Sequence, residues 1–480
     1  MHIAGAPTVD VARDGLVSVA DGVVVVGPAG TIVYSGAFGG APDLGGVPVR
    51  DLRGCFLLPG FVDTHLHYPQ TAVTDAYGGG QLMEWLEHCV YPAEAKLAEP
   101  GYAALIAAAF VARRVAVGTT AAMVFGSAFP AAQRALFAAH EAAGLRVVSG
   151  RGIQTVGPAS ASALITGEAE AVELVRAEIA AWHDPAGLRQ VAIMPRFSLS
   201  VTRQTLTALG ELYAEMAPQG VYVHSHLNEN NRPGDGEIAS VRAAYDVATY
   251  LDTYDGKFLA GSQIGGESLL GRRTILAHAV HCTDAELARM AATGTSIAHC
   301  PTSQLFLGSG TMPWRRTVDA GVTVALGTDV GAGDEWLLSR VANDCYKQHL
   351  GEAGAASVAL HPAELLFTAT LAGARALDQE GRFGNLDAGK EADFLVVDPD
   401  AYPPLALTLQ QATGTDHQLF ALLMGLREPA IREVYVAGRQ VRAAHPGPDS
   451  LRDAPWVGWA RRQQEVGHER RRRPPGVSHG

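Results

Sequence analysis

From Phe61 onward, short runs of β-branched and other apolar residues alternate with longer alanine-rich stretches whose apolar positions recur at helical spacing. That alternation predicts repeated strand–helix units, which assemble into a parallel sheet. Eight runs qualify as strands: Phe61–Thr64, Thr119–Phe125, Arg146–Gly150, Val191–Pro195, Val221–His224, Thr274–Ala277, Ser296–His299 and Val322–Gly327. Eight such units predict an α/β fold, a closed (β/α)8 barrel of the TIM type. Outside it, Val17–Ser35 is rich in valine, glycine and turn signals, and Asp393–Asp398 and Ile431–Val441 read as strands. Neither end can bury an apolar face alone, so the two are expected to pair into one small, discontinuous β-sandwich. The expected division is 1–56 and 381–442 for the two parts of the sandwich, 57–380 for the barrel, and 443–480 for a flexible tail. That tail is polar and includes the run Arg470-Arg471-Arg472-Arg473-Pro474-Pro475.

Hydrophobic residues make up 48% of the 480 and charged residues 18%, enough apolar material for a large core and too little charge for disorder. The formal net charge of -12 argues against general affinity for nucleic acid or anionic membrane, each of which needs a basic face. A small-molecule substrate is the expectation, and on so acidic a body the arginine-rich end reads as a frayed tail. Five scattered cysteines without a Cys-x-x-Cys pair suggest reduced thiols. The apolar stretch Ala103–Ala112 is too short to span a bilayer, and the N-terminus shows no basic-then-apolar leader, so a cytoplasmic protein is expected.

The candidate chemistry falls at the strand ends, where barrel enzymes build their active sites. Phe61-Val62-Asp63-Thr64-His65-Leu66-His67 places two imidazoles on alternate residues, hence on one face of an extended chain. His226, His278 and Asp329 close later strands. Four imidazoles and a carboxylate can surround one hydrolytic ion. The set lacks thiolate, which suits Zn²⁺, one per chain, with Fe²⁺ or Mn²⁺ as rivals. Zinc lowers the pKa of its water to about 7, so hydrolysis is the reaction class. His224 shares a face with His226, but His226 protrudes further toward the barrel mouth and is the preferred ligand, with His224 beneath it. Glu229, three residues beyond His226, is placed to act as general acid or base. His281 and His299 suit supporting roles.

These residues resemble the amidohydrolase superfamily, with its first-strand His-x-His, later strand-end histidines and final aspartate. Within it, His67-Tyr68-Pro69-Gln70, Gln81-Leu82-Met83-Glu84-Trp85-Leu86, Tyr91-Pro92-Ala93-Glu94, Pro195-Arg196-Phe197-Ser198, His224-Ser225-His226-Leu227-Asn228-Glu229-Asn230, Ala298-His299-Cys300-Pro301-Thr302-Ser303 and Gly327-Thr328-Asp329-Val330-Gly331-Ala332-Gly333 look like the guanine deaminases. The resemblance covers roughly Cys55 to Val441. It implies hydrolysis of guanine to xanthine and ammonia, by attack of metal-bound hydroxide on C2, in a homodimer. Glu229 would shuttle protons, Asp329 would assist as base and His278 would orient the nucleophile. Gln70 and Arg196 would hydrogen-bond the purine edge, with Phe197 as an aromatic surface. Arg196 follows a buried strand and a proline, where it would otherwise need a carboxylate partner.

Three segments depart from the family pattern: Gly150–Pro158, Asn231–Gly236 and Asp334-Glu335-Trp336. Each is a place where specificity could shift toward 8-oxoguanine, a pterin or a triazine. Cytidine-type zinc deaminases are disfavoured, because their Pro-Cys-x-x-Cys element is missing. A non-catalytic scaffold of the same fold would be expected to lose ligands that this chain keeps.

Overall fold

Eight parallel strands pair in chain order: β1 (Phe61–His67), β2 (Thr119–Phe125), β3 (Val147–Gly150), β4 (Arg189–Pro195), β5 (Tyr222–Leu227), β6 (Thr274–His278), β7 (Ser296–His299) and β8 (Val324–Leu326). The structure, a computed structural model, describes residues 1–43, 45–77, 82–232, 236–257 and 267–441. The expected tail beyond 442 lies outside these residues, as does part of the Asn231–Gly236 segment. All eight strands occupy the expected runs, and β1 and β6 extend far enough to carry His67 and His278 on their last residues.

The barrel closes where β8 meets β1. Asp329 N–H donates to the His65 carbonyl at 2.8 Å and His67 N–H to the Val330 carbonyl at 2.6 Å. The Thr64 hydroxyl donates to the Leu326 carbonyl at 2.8 Å. The buried Asp63 carboxylate accepts from the Thr328 hydroxyl at 2.7 Å and from the Thr328 N–H at 3.1 Å. Gly327 permits this approach, because a Cβ there would stand 2.9 Å from the His65 Cβ and 3.0 Å from the Cys300 sulfur.

Helices cover the outside of the barrel, with boundaries set by local chemistry. Asp284–Thr293 starts at a capping box between Thr283 and Glu286 and stops at Gly294, whose φ of +74° suits glycine. In Pro100–Ala116, Arg114 is wholly buried and donates to the His140 Nε2 at 2.6 Å and the Arg146 carbonyl at 3.1 Å. His140 in turn donates from Nδ1 to the Leu136 carbonyl at 2.8 Å.

The two ends of the chain form the expected β structure. Phe56–Pro59, Phe394–Val397, Ile431–Val436 and Arg439–Gln440 make one antiparallel sheet, and Gly22–Val26 pairs with Ile32–Ala37. Ile32 N–H bonds to the Lys390 carbonyl at 2.7 Å, and Ile32, Leu386, Ala392, Phe394 and Val396 share one apolar cluster. N- and C-terminal pieces therefore bury each other's apolar faces, which neither could do alone. Arg146 ties this unit to the barrel through Asp393 at 2.6 Å and Glu391.

The Gly150–Pro158 segment begins as strand, with Gly152–Ile153 pairing alongside Met194–Pro195 of β4. All five cysteines are free thiols. Among the described residues no single helix is long and apolar enough to cross a membrane.

Candidate metal and substrate site

Strand alternation puts His65 and His67 on one face of β1, and their Nε2 atoms stand 3.2 Å apart. His226 Nε2 from β5 lies 3.2 Å from His67 Nε2. Asp329 Oδ1, just past β8, is 3.0 Å from His65 Nε2 and 3.2 Å from His67 Nε2, and His278 Nε2 is 3.9 Å from Asp329 Oδ2. Atoms bound to one ion at about 2.0–2.2 Å each stand roughly 3–4 Å apart, depending on the angle between them, so these separations fit a shared cation. Both ring nitrogens of His278 and Asp329 Oδ1 are buried without a hydrogen-bond partner. Such orphaned polar atoms are costly unless a ligand meets them.

Protonation fits as well. Burial lowers His67 to about 4 and His278 to about 3, and holds His226 well below the usual imidazole range. The rings are therefore neutral, with lone pairs to offer. Burial alone would raise the Asp329 carboxyl, but His65, His67 and His278 hold it well below its ordinary value. His278 and Asp329 have φ of 73° and 51°, the left-handed region, which costs on the order of 1–2 kcal/mol for such residues and aims both side chains inward from strand ends.

Supporting hydrogen bonds select the tautomers. His226 Nδ1 donates to the Arg196 carbonyl at 2.6 Å, leaving its Nε2 lone pair for the site. His224 Nδ1 donates to the Ile275 carbonyl at 2.8 Å, so its Nε2 accepts from His65 Nδ1 at 2.7 Å. His224 thus lies beneath His65, not beneath His226 as the strand pattern suggested. It fixes the orientation of the first ring of the His-x-His pair. His281 contacts the Ser309 carbonyl at 2.8 Å, and His299 faces His349.

Glu229 sits beside this cluster, with Oε2 3.5 Å from His278 Nε2 and Oε1 accepting from the Ser309 hydroxyl at 3.4 Å. Burial, then the charges of Asp329 and Glu237, push its carboxyl well above the ordinary carboxylate range. Glu237 was not singled out from the sequence. Its Oε2 accepts the backbone N–H groups of Glu229 at 3.0 Å and Asn230 at 3.2 Å, and so holds the turn that carries Glu229.

Above the cluster opens a cleft lined on one side by Leu82, Trp85, Leu86 and Phe197 and bordered by Gln70 and Arg196. The sequence reading left Arg196 without a carboxylate partner, and the structure corrects this. Arg196 Nη1 meets Glu94 Oε2 at 2.7 Å, and the guanidinium lies 5.2 Å from the Tyr91 ring centre. Glu94 Oε1 also accepts from Gln70 Nε2 at 3.0 Å, so one buried carboxylate organises both polar groups at the cleft edge. Its only signal in the sequence was membership of the Tyr91-Pro92-Ala93-Glu94 motif.

Of the divergent segments, 334–336 turns away from the cleft, and Trp336 packs on Phe110 at 5.6 Å and under Arg113 at 5.8 Å. Beyond Gly150–Pro158, Ala161 and Leu164 pack into the same apolar cluster as Trp85 and Phe197, behind the cleft wall.

Residues 56–441 match the model of the amidohydrolase family. The chain is 41% identical over 443 residues to a probable guanine deaminase of Deinococcus radiodurans, covering 90% of this chain and 94% of the relative. Among solved structures, Escherichia coli guanine deaminase superposes with a TM-score of 0.81 at 30% identity, over 92% of this chain and 97% of the other. The guanine deaminase of C. acetobutylicum with bound guanine superposes with a TM-score of 0.76 at 26% identity, over 88% and 95%.

Proposed function

Because the chain belongs to the amidohydrolase family, as a guanine deaminase-like hydrolase of C–N bonds, we propose that it converts guanine to xanthine and ammonia by hydrolysis at C2. The reading includes a cytoplasmic homodimer working in purine catabolism. One zinc ion would be held by His65, His67, His226, His278 and Asp329: all but His67 place a ligand atom within 4.8 Å of one another, and His67 Nε2 stands 3.2 Å from both His65 Nε2 and Asp329 Oδ1. When bound, the ion supplies a water acidified to near neutrality and an electrophilic centre.

The remaining work falls to side chains of this chain. Glu229 takes a proton from the attacking water, delivers one to the adjacent ring nitrogen, and carries a proton to the departing amino group. Its buried position beside two other carboxylates raises its proton affinity, which suits it to both directions of transfer. His278, 3.5 Å from Glu229, orients the nucleophile, and Asp329 accepts a proton from it. Gln70 and Arg196 hydrogen-bond the purine edge, and Phe197 offers an apolar aromatic face.

The observation that carries this reading is the placement of Glu229 against His278 on the floor of a cleft bordered by the Arg196–Glu94 pair. The test is ammonia release by the purified, metal-assayed protein from guanine, 8-oxoguanine, adenine, cytosine, pterins and amino-triazines. Guanine is expected to be the preferred substrate, with xanthine as product. Turnover of another ring without guanine would overturn the substrate assignment, and silence on all of them would overturn deamination.

A further inference from the structure

His299, on the last residue of β7, meets a pair of residues one helical turn apart on Leu338–Leu350: Cys345 and His349. One ligand-type atom from each of the three lies within 4.8 Å of the others, and all three residues are buried. The rings of His299 and His349 approach to 3.1 Å between their Nε2 atoms. His349 Nδ1 donates to Glu352 Oε1 at 2.7 Å, which fixes the tautomer and turns the Nε2 lone pair of His349 toward His299. That carboxylate-to-imidazole bond is the arrangement that supports a metal-bound histidine. The ring-to-ring contact engages one nitrogen of His299, and its Nδ1 is buried without a partner. The Cys345 sulfur adds the one soft donor of the group. Trp314, with its ring centre 5.9 Å from that of His299 and 5.1 Å from that of His349, walls the group off.

We propose that His299, Cys345 and His349 form a second metal site, of the His2Cys type, for a thiophilic ion such as zinc. The ligand set differs in kind from the thiolate-free cluster at the cleft, and spacing at i and i+4 on a helix aligns Cys345 and His349 on one face. Burial first, then the charges of Asp344 and Glu364, keep the Cys345 thiol protonated, and a cation at the sulfur would displace that proton to solvent. The carboxylates of Asp344 and Glu364, which act on Cys345, favour a cation over an isolated thiolate. Nothing in this group touches the cleft, so the ion is assigned a structural role, bracing the end of β7 against the helix that follows β8.

Protein produced in zinc-poor, cobalt-supplemented medium tests this by metal analysis and absorption spectroscopy. Two cobalt ions per chain are expected, together with near-ultraviolet thiolate-to-cobalt charge transfer, which the thiolate-free cleft site cannot give. Cys345→Ser should retain one cobalt and its ligand-field bands but lose the charge-transfer absorption. Wild-type protein that takes up cobalt without thiolate-to-cobalt charge transfer, or that takes up none, overturns the proposal even if the variant does not fold. The readout is independent of substrate, so it is separate from the fate of the deaminase assignment.

Discussion

Arg196 Nη1 and Glu94 Oε2 lie 2.7 Å apart, and both side chains are only 6% exposed. A guanidinium held this way, with Gln70 bonded to the other oxygen of the same carboxylate, is fixed before any ligand arrives. The cleft edge is therefore rigid at its two polar positions, and under the proposed function that rigidity would serve discrimination between rings.

Glu94→Gln should keep the side chain's volume while weakening a charge-assisted bond worth about 1.5–3 kcal/mol. A fall of roughly 10- to 100-fold in kcat/KM for guanine is expected, mostly through KM. Glu94→Ala should add a loss of about 3–5 kcal/mol in denaturant unfolding, because it strands a buried cation. Unchanged KM in Glu94→Gln would separate Arg196 from purine binding.

Glu229→Gln should lower kcat by about 10²- to 10⁴-fold, the usual contribution of a positioned acid or base. Metal content should stay at the wild-type level, since the proposed ligands are untouched. Metal analysis beside steady-state kinetics checks both halves, and near-normal turnover would remove Glu229 from proton transfer.

Gly327→Ala pushes a methyl group against the His65 Cβ at 2.9 Å and the Cys300 sulfur at 3.0 Å. The β8–β1 seam must open to admit it, at a cost of about 1–3 kcal/mol. Because Asp329 and His65 flank that seam, weaker metal retention under chelator challenge should accompany the lower stability.

His140 contributes acid sensitivity to the core outside the histidine cluster of the cleft. Burial first, then the neighbouring Arg114 charge, lowers its pKa from 6.5 to about 3. Between those values the unfolded chain binds a proton that the folded chain refuses, so stability falls as pH drops from about 6.5 toward 3, by about 1.4 kcal/mol for each pH unit. His140→Gln, which can still accept from Arg114, should flatten this part of the stability profile. Parallel slopes for variant and wild type in denaturant melts from pH 4 to 7 would place the acid sensitivity elsewhere.

The sequence made the barrel and the convergence of His65, His67, His226, His278 and Asp329 legible, because strand period and strand ends follow from short-range pattern. A period of two puts His65 and His67 on one face, and strand ends are where such residues matter in a barrel. Glu94 was hidden because its meaning depends on Arg196, 102 residues away, across a helical excursion that no periodicity links to β4. The position of His224 under His65 depends on tautomers set by the Ile275 carbonyl on the next strand, which spacing cannot reveal. Glu237 acts through backbone N–H groups of a turn, and the left-handed backbone at His278 and Asp329 carries no mark in the residue types themselves.

The His65–Asp329 backbone bond joins the first barrel strand to the last, across 264 residues of chain. Loop closure over such a distance is a late event in the acquisition of structure, since nearby contacts form first. A nascent or half-assembled chain therefore has the His65–His67 pair but not the pocket that would retain an ion. For the proposed zinc site, metal capture would then be a receipt for completed topology, and an ion once taken up would act as a clasp that resists reopening of the barrel at its last-formed join.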